Sequence, residues 1–286
     1  MTIGVVGIGN MGLGIAQRLI ERGQAVQVCD VDPTRAPQVP EAAVAASPAA
    51  MSGCELVIVV VVDAAQTRAV LDALPLPAGA TVMLCPTIAA EDTEAFAAQL
   101  AARGIGCIDA PMSGGPARAR DGTMSLMVAC SDALFSRWQP LLAHLASRLF
   151  RVGTKPGDGA RTKLVNNLLA AVNLAGACEV LALAERWGLD AAKTLDVIEQ
   201  SSGQSWIASD RLRRALACDT VPRAHVSLLA KDSGLAMAAA GDDAPAVGGA
   251  AARLFAQAMA AGLAQEDDGA LWRWLSRGSA PPESAP

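Results

Sequence analysis

The sequence predicts an α/β fold: a doubly wound parallel sheet in the N-terminal half, then a long connecting helix and an all-helical C-terminal half. Three observations predict it. Apolar strand-like runs alternate with helical stretches as far as Val152, the pattern of a parallel sheet covered on both faces. Beyond the turn-rich segment from Gly153 to Gly159 the strand signals vanish. From Thr162 to Trp187 the chain then reads as one helix, apolar on nearly every side and broken only by residues such as Asn166, Asn167, Asn173 and Glu179. A helix of that kind is expected to be buried on nearly every face, between two domains or two subunits.

Taken in order, Thr2 to Val6 is a short β-type run that ends at Gly7. Gly7-Ile8-Gly9-Asn10-Met11-Gly12 follows, and Leu13 to Arg22 has apolar residues at helical spacing with Gly23 as a stop. Ala25 to Cys29 is a second strand closed by Asp30, and Leu56 to Val62, Thr81 to Cys85 and Gly106 to Ile108 are further strands. Glu91 to Arg103 is a helix with Gly104 as its C-cap. Ser125 to Ala129 and Leu149 to Val152 are strands separated by a helix over Asp132 to Leu145. The C-terminal helices are expected at Ala191 to Gln200, Ala224 to Ala240, Val247 to Ala261 and Asp267 to Leu275. Domains are therefore drawn at 1–155 and 156–275, with 276–286, rich in Ser, Pro and Ala, as a disordered tail.

Composition narrows the function. Among 286 residues, 52% are hydrophobic and 18% charged, with a net charge of −5, so a folded core is expected and a nucleic-acid or anionic-membrane partner is not. No uninterrupted apolar run reaches the roughly 18 residues of a membrane span, and no secretory leader is visible. A cytoplasmic protein is expected. The seven Cys include no C-x-x-C pair, which suits neither a disulfide framework nor a zinc site.

The glycine-rich loop carries the first chemistry. It follows a strand, opens a helix, and has an acid, Asp30, about 20 residues on at the end of the second strand. Gly7 permits a tight turn, Gly9 lets the backbone approach a pyrophosphate, and Gly12 lets the helix pack closely on the sheet. This is the signature of a Rossmann-type dinucleotide domain. Asp30 would accept from ribose hydroxyls and repel a 2′-phosphate, favouring NAD, although Arg35 nearby leaves room for NADP.

A hydride transfer at a carbonyl carbon needs a matching proton transfer at oxygen. The chain has no Tyr, and its two His, His144 and His225, have no acid partner at helical spacing. Its basic residues are nineteen Arg and four Lys, and of these only Lys can titrate near neutrality. Lys155 and Lys193 read as surface charges. Lys163 heads the apolar helix, and Lys231 stands in an otherwise apolar one. Lys163 and Asn167, four residues apart, share a helix face, where an ammonium and a carboxamide could hold one substrate oxygen. Ser113-Gly114-Gly115 could present a hydroxyl and backbone amides to a carboxylate.

At this point the chain resembles the β-hydroxyacid dehydrogenases, the family of 3-hydroxyisobutyrate dehydrogenase. Four motifs carry the resemblance: Gly7 to Gly12; Asp109-Ala110-Pro111-Met112-Ser113-Gly114-Gly115 running on to Gly122-Thr123; Gly159 to Lys163 with Asn166-Asn167; and Lys231-Asp232 with Gly234-Leu235-Ala236. The resemblance implies a Rossmann domain and a helical C-terminal domain that dimerises, as a homodimer or homotetramer. It implies Lys163 as catalytic residue with Asn167 beside the substrate, the Ser113, Gly114 and Gly115 loop on the substrate carboxylate, and Thr87 and Lys231 at the nicotinamide end of the cofactor. The leading expectation is NAD-linked interconversion of a small 3-hydroxy acid and its semialdehyde. The alternatives are an NADPH-dependent glyoxylate or semialdehyde reductase, an L-threonate-type sugar-acid dehydrogenase and, in another class, a non-catalytic dinucleotide-binding module. Pro86 where the family usually has Ser, Val62 for Pro, Met112 for Val, Ser233 for Leu and a short stretch between Asp30 and Glu55 depart from the pattern. They bear on substrate identity more than on reaction type.

Overall fold

The computed structural model describes residues 1–277, so residues 278–286, most of the expected tail, lie outside the described residues. The chain divides into two compact units, the first Met1–Lys163 and the second starting at Leu164. The boundary expected at 155/156 lies just ahead of a long helix, whereas the units divide within that helix's second turn.

The first unit runs β1 (Thr2–Val6), α1 (Asn10–Glu21), β2 (Ala25–Cys29), β3 (Ala43–Val44), β4 (Leu56–Val59), α2 (Ala64–Ala73), β5 (Thr81–Leu84), α3 (Ala90–Ala102), β6 (Gly106–Asp109), β7 (Met112–Ser113), α4 (Gly115–Asp121), β8 (Met124–Ala129), α5 (Asp132–Leu145) and β9 (Ala146–Gly153). The long helix α6 (Asp158–Arg186) then begins. The sheet has the order β3-β2-β1-β4-β5-β6-β8-β7, with β9 against β8. Its first six strands are all parallel. Past β6 the parallel expectation fails, because β8 runs antiparallel to both β6 and β7. A parallel neighbour needs a crossover of a dozen or more residues. The segment from Ala110 to Thr123 spends two residues on a strand and forms only a seven-residue helix, roughly 10 Å long and too short to run back along a strand. α5 is long enough, and β9 returns parallel to β8.

Burial explains the apolar strand runs. Leu56 and Ile58 face one core with Ile3, Val5, Ile15, Leu19, Ile108 and Leu126. Val57 and Val59 face the other with Leu71, Val82, Leu84, Phe96 and Leu100. A strand covered on both faces needs apolar residues at every position. The run expected to reach Val62 pairs only to Val59, and Val62 is exposed.

The second unit contains the rest of α6 with α7 (Ala191–Glu199), α8 (Trp206–Leu216), α9 (Val226–Ala240), α10 (Ala246–Ala260) and α11 (Ala270–Ser276). Helix α8 has no counterpart among the helices expected from the sequence. The signal was Ser205, whose side chain caps α8 by accepting from Ala208 N–H. The helix expected from Asp267 starts three residues later, because Asp267 and Asp268 are buried acceptors of Arg214 and Arg211. A buried carboxylate must be paired, and that requirement overrides helical spacing.

Helix α6 qualifies two expectations. Within a single chain it is not buried on nearly every face: Val165, Leu169 and Val180 are 71%, 59% and 50% exposed, and burial there would need a second copy. It also holds an 18-residue window apolar enough, by length and composition, to cross a membrane. The continuous run was broken by Asn and Gly, but the average was not. Its other side, with Ala171, Leu174, Ala175, Cys178, Leu181 and Ala182, packs into the core of the second unit, as the central helix of a globular unit does.

Candidate active site

In the first unit the candidate residues gather at the carboxyl ends of the parallel strands, where open α/β sheets bind ligands. The strand order reverses between β1 and β4, and the loop after β1 lies at that point. Gly7 turns there with φ +90°, and a Cβ on it would stand 2.2 Å from the Val60 carbonyl oxygen. A Cβ on Gly12 would stand 1.9 Å from the Gly7 carbonyl oxygen, so any larger residue would force α1 off the loop. Above Gly9, in contrast, nothing lies within 4 Å. Gly9 is the N-cap of α1, with no side-chain cap and no acid in the first turn. Helix amides left without partners, under a positive dipole and an open approach, fit a pyrophosphate. Asn10 is exposed and Met11 half-buried at this mouth, while Ile8 is a core side chain.

Asp30 ties the loop together from β2. Its Oδ2 accepts from Ile8 N–H at 2.5 Å and its Oδ1 from Asp32 N–H at 2.9 Å. Each carboxylate oxygen has two lone-pair sites, so Asp30 retains acceptor capacity for ribose hydroxyls. Arg35, the cation that left room for NADP, lies 3.3 Å from the Asp32 carboxylate. Thr87 follows β5 and the buried Pro86 and is half-buried.

Ser113 ends β7, paired with Ser125 of β8. Gly114 and Gly115 follow with φ +135° and +75°, a backbone that glycine adopts without strain. The helix they open, α4, lies directly on α1: a Cβ on Gly14 would stand 2.8 Å from Arg120 N, and Arg120 pairs with Glu21 at 2.5 Å. The Ser113 loop and the glycine-rich loop are thus held by two helices in contact.

Lys163 stands in the second turn of α6 and is 8% exposed. Asn167 is one turn further along the same helix. In the second unit, Asn167 Nδ2 donates to Asp232 Oδ2 at 2.6 Å and its Oδ1 accepts from Asn166 Nδ2 at 3.0 Å. Asp232 Oδ1 lies 2.8 Å from Lys231 Nζ. A carboxylate only accepts, which fixes the amide orientation of Asn167 and leaves its second amide hydrogen for a substrate oxygen. Asp232, 5% exposed, is therefore the hub that sets both Asn167 and Lys231. The sequence reading quoted it and gave it no role, though an acid inside an apolar helix was the signal.

The histidines take other parts. His225 is the N-cap residue of α9, with Nδ1 2.8 Å from the Gln265 carbonyl oxygen. His144 ends α5, and its carbonyl accepts from Arg18 Nε.

Comparison with known proteins agrees in both halves. Residues 2–153 match the NAD binding domain of 6-phosphogluconate dehydrogenase, and residues 157–275 match the family described as NAD-binding of NADP-dependent 3-hydroxyisobutyrate dehydrogenase. The L-threonate dehydrogenase of Cupriavidus necator is 36% identical over 279 residues, 94% of each chain. The 3-hydroxyisobutyrate dehydrogenase of Pseudomonas aeruginosa is 34% identical over 212 residues, 71% of each chain. A crystal structure of 3-hydroxyisobutyrate dehydrogenase from Salmonella typhimurium superposes with a TM-score of 0.87 at 33% identity, covering 96% of this chain and 99% of that one.

Replacing Asp232 by Ala should release both Asn167 and Lys231. Loss of orientation on this scale costs on the order of 10²-fold in turnover. Steady-state kinetics should show it as a fall in kcat, and near-normal kcat in the variant would remove the role given to Asp232.

Proposed function

The chain belongs to the β-hydroxyacid dehydrogenase family, and from that premise we propose that it oxidises a small polyhydroxylated acid of the L-threonate type with NAD. That it is an NAD(P)-dependent dehydrogenase of hydroxy acids follows from its relatives. The observation that supports the finer reading is sequence likeness: the L-threonate dehydrogenase relative is 36% identical over 94% of the chain, the 3-hydroxyisobutyrate dehydrogenases 33–34% over 71–96%. The second of these keeps 3-hydroxyisobutyrate as the competing substrate.

When bound, the nicotinamide accepts the hydride. The protein's own residues handle the rest. The amides of Ser113, Gly114 and Gly115 would hold the carboxylate common to both acids. Asn167 would donate to the reacting oxygen, oriented by Asp232. Lys163, nearly buried, would take the hydroxyl proton in oxidation and return it in reduction. Thr87 and Lys231 are assigned to the nicotinamide end of the cofactor. A non-catalytic dinucleotide-binding module would have no need of Lys163, Asn167 and the Ser113 loop together.

A panel read at the reduced-nicotinamide absorbance tests this. L-threonate should give the highest kcat/KM, above 3-hydroxyisobutyrate. The reverse order would restore the 3-hydroxy acid reading, and silence with every hydroxy acid, and with semialdehydes in reverse, would favour a binding module.

Asp30 should set cofactor choice. A 2′-phosphate beside it meets like charge and forfeits the ribose bonds, a difference on the order of 2–3 kcal/mol. The ratio of kcat/KM for NAD over NADP should exceed tenfold and narrow in Asp30→Ser. Equal use of both cofactors by the unmodified protein would contradict the assignment.

The exposed stripe of Val165, Leu169 and Val180 on α6 is assigned to a second copy of the chain, since apolar residues one face apart and in water mark an interface. Light scattering should give at least twice 29.2 kDa, whereas a stable monomer at micromolar concentration would exclude this.

A further inference from the structure

Asp109 closes β6, is 2% exposed, and has no part in the chemistry assigned above. Its Oδ2 accepts from Gly157 N–H at 2.7 Å and from Ala160 N–H at 3.1 Å. These are the amides at the start of α6, so a side chain 48 residues away in sequence caps this helix. The surrounding backbone is shaped to let it in. Gly157 has φ +102°, and a Cβ on Gly159 would stand 2.9 Å from Asp109 Oδ1 and 2.8 Å from the Met127 carbonyl oxygen. On one side of Asp109 the chain leaves β6 and runs through Ala110 and Pro111 into β7 and Ser113. On the other, the capped turn carries Lys163 in the turn that follows.

We propose that Asp109 is a positioning residue for the reaction: ionised, it locks the first turn of α6 to the carboxyl end of β6 and so fixes Lys163 relative to the Ser113–Gly115 loop. The proposal rests on the reading of Lys163 as the group that handles the proton.

Titration gives it a signature. Burial raises the Asp109 carboxyl to about 6, against the pull of the Ala160, Gly157 and Gly159 amides, and the charge of Asp158 adds to the rise. The thiols of Cys85, Cys107 and Cys130 feel its charge as well. Burial pushes Cys85 and Cys107 far up and Cys130 to about 11, so they stay neutral in the working range. As pH falls through 6, Asp109 gains a proton that the helix amides cannot accept, and the anchor weakens. Turnover should fall with it. Stability should move the other way: the folded value lies above the ordinary 3.8, so the fold binds the proton more tightly than the unfolded chain does. Asp109's own contribution to folding stability is then greatest below about 4 and declines as pH rises to 6. A purely structural carboxylate would make activity follow stability. A positioning carboxylate makes them diverge.

The test is kcat against pH in the direction of carbonyl reduction, using the oxo acid of whichever hydroxy acid the panel identifies. There Lys163 must start protonated and contributes only the alkaline limb. The intact enzyme should show an acid limb with a midpoint near 6. Asp109→Asn should lower kcat by tenfold or more at pH 7.5, leave nucleotide affinity within twofold, and abolish that limb. Gly159→Ala, which crowds the anchor and keeps its charge, should lower kcat while retaining a limb. Asp109→Asn with unmodified kcat and an unmodified acid limb would overturn the proposal. If that variant does not fold, absence of the limb in the intact enzyme overturns it equally. Full turnover by Lys163→Ala would instead remove the reading on which the proposal rests.

Discussion

The Asp109 carboxylate joins the end of β6 to the first turn of the 29-residue helix, and the proposed placement of the chemistry depends on that junction. The amides stabilise the carboxylate but offset only part of the desolvation that burial imposes on it. A carboxyl raised from 3.8 to about 6 is destabilising when ionised, by ~3 kcal/mol at neutral pH. A neutral apolar residue of similar volume would relieve that, as it often does for buried charges. Retaining a buried charge at the foot of the helix that bears Lys163 is the pattern expected where position matters more than stability.

The glycine-rich loop obeys a similar logic with different means. Gly7 and Gly12 are held by carbonyl oxygens closer than any side chain would allow, and Asp30 fastens Ile8 from the neighbouring strand. The result is a rigid loop that leaves its approach open above Gly9 alone. Helix α4 lying on α1 extends that rigidity to Ser113. Two candidate binding loops, about a hundred residues apart in the sequence of the first unit, are thus parts of one packed assembly.

Local periodicity made the strands and most helices legible, because β1, β2, β4, β5 and the helices α3, α5 and α10 each carry their own apolar pattern. The glycine-rich loop and Asp30 were legible because their spacing is itself the mechanism. What escaped the sequence depends on partners far along the chain. The first turn of α6, Asp158 to Arg161, contains Gly and Asp and reads as a turn; it is helical because Asp109 caps it. Helix α4 begins at two glycines and a proline, which read as a loop. Asp232 looked like one more charge until Asn167 and Lys231 were found on either side of its carboxylate. The exposed stripe on α6 was hidden by the same uniform apolarity that identified the helix.

The central claim is that Lys163 moves the proton. Single-turnover reduction of bound NAD by the preferred hydroxy acid, in Lys163→Arg beside the intact enzyme, tests it most directly, since Arg keeps the charge and cannot release its proton near neutrality. The account predicts a rate lower by about 10² or more, with NAD binding unaltered by calorimetry. A rate close to that of the intact enzyme would contradict it, and the proton would then have to leave by another group.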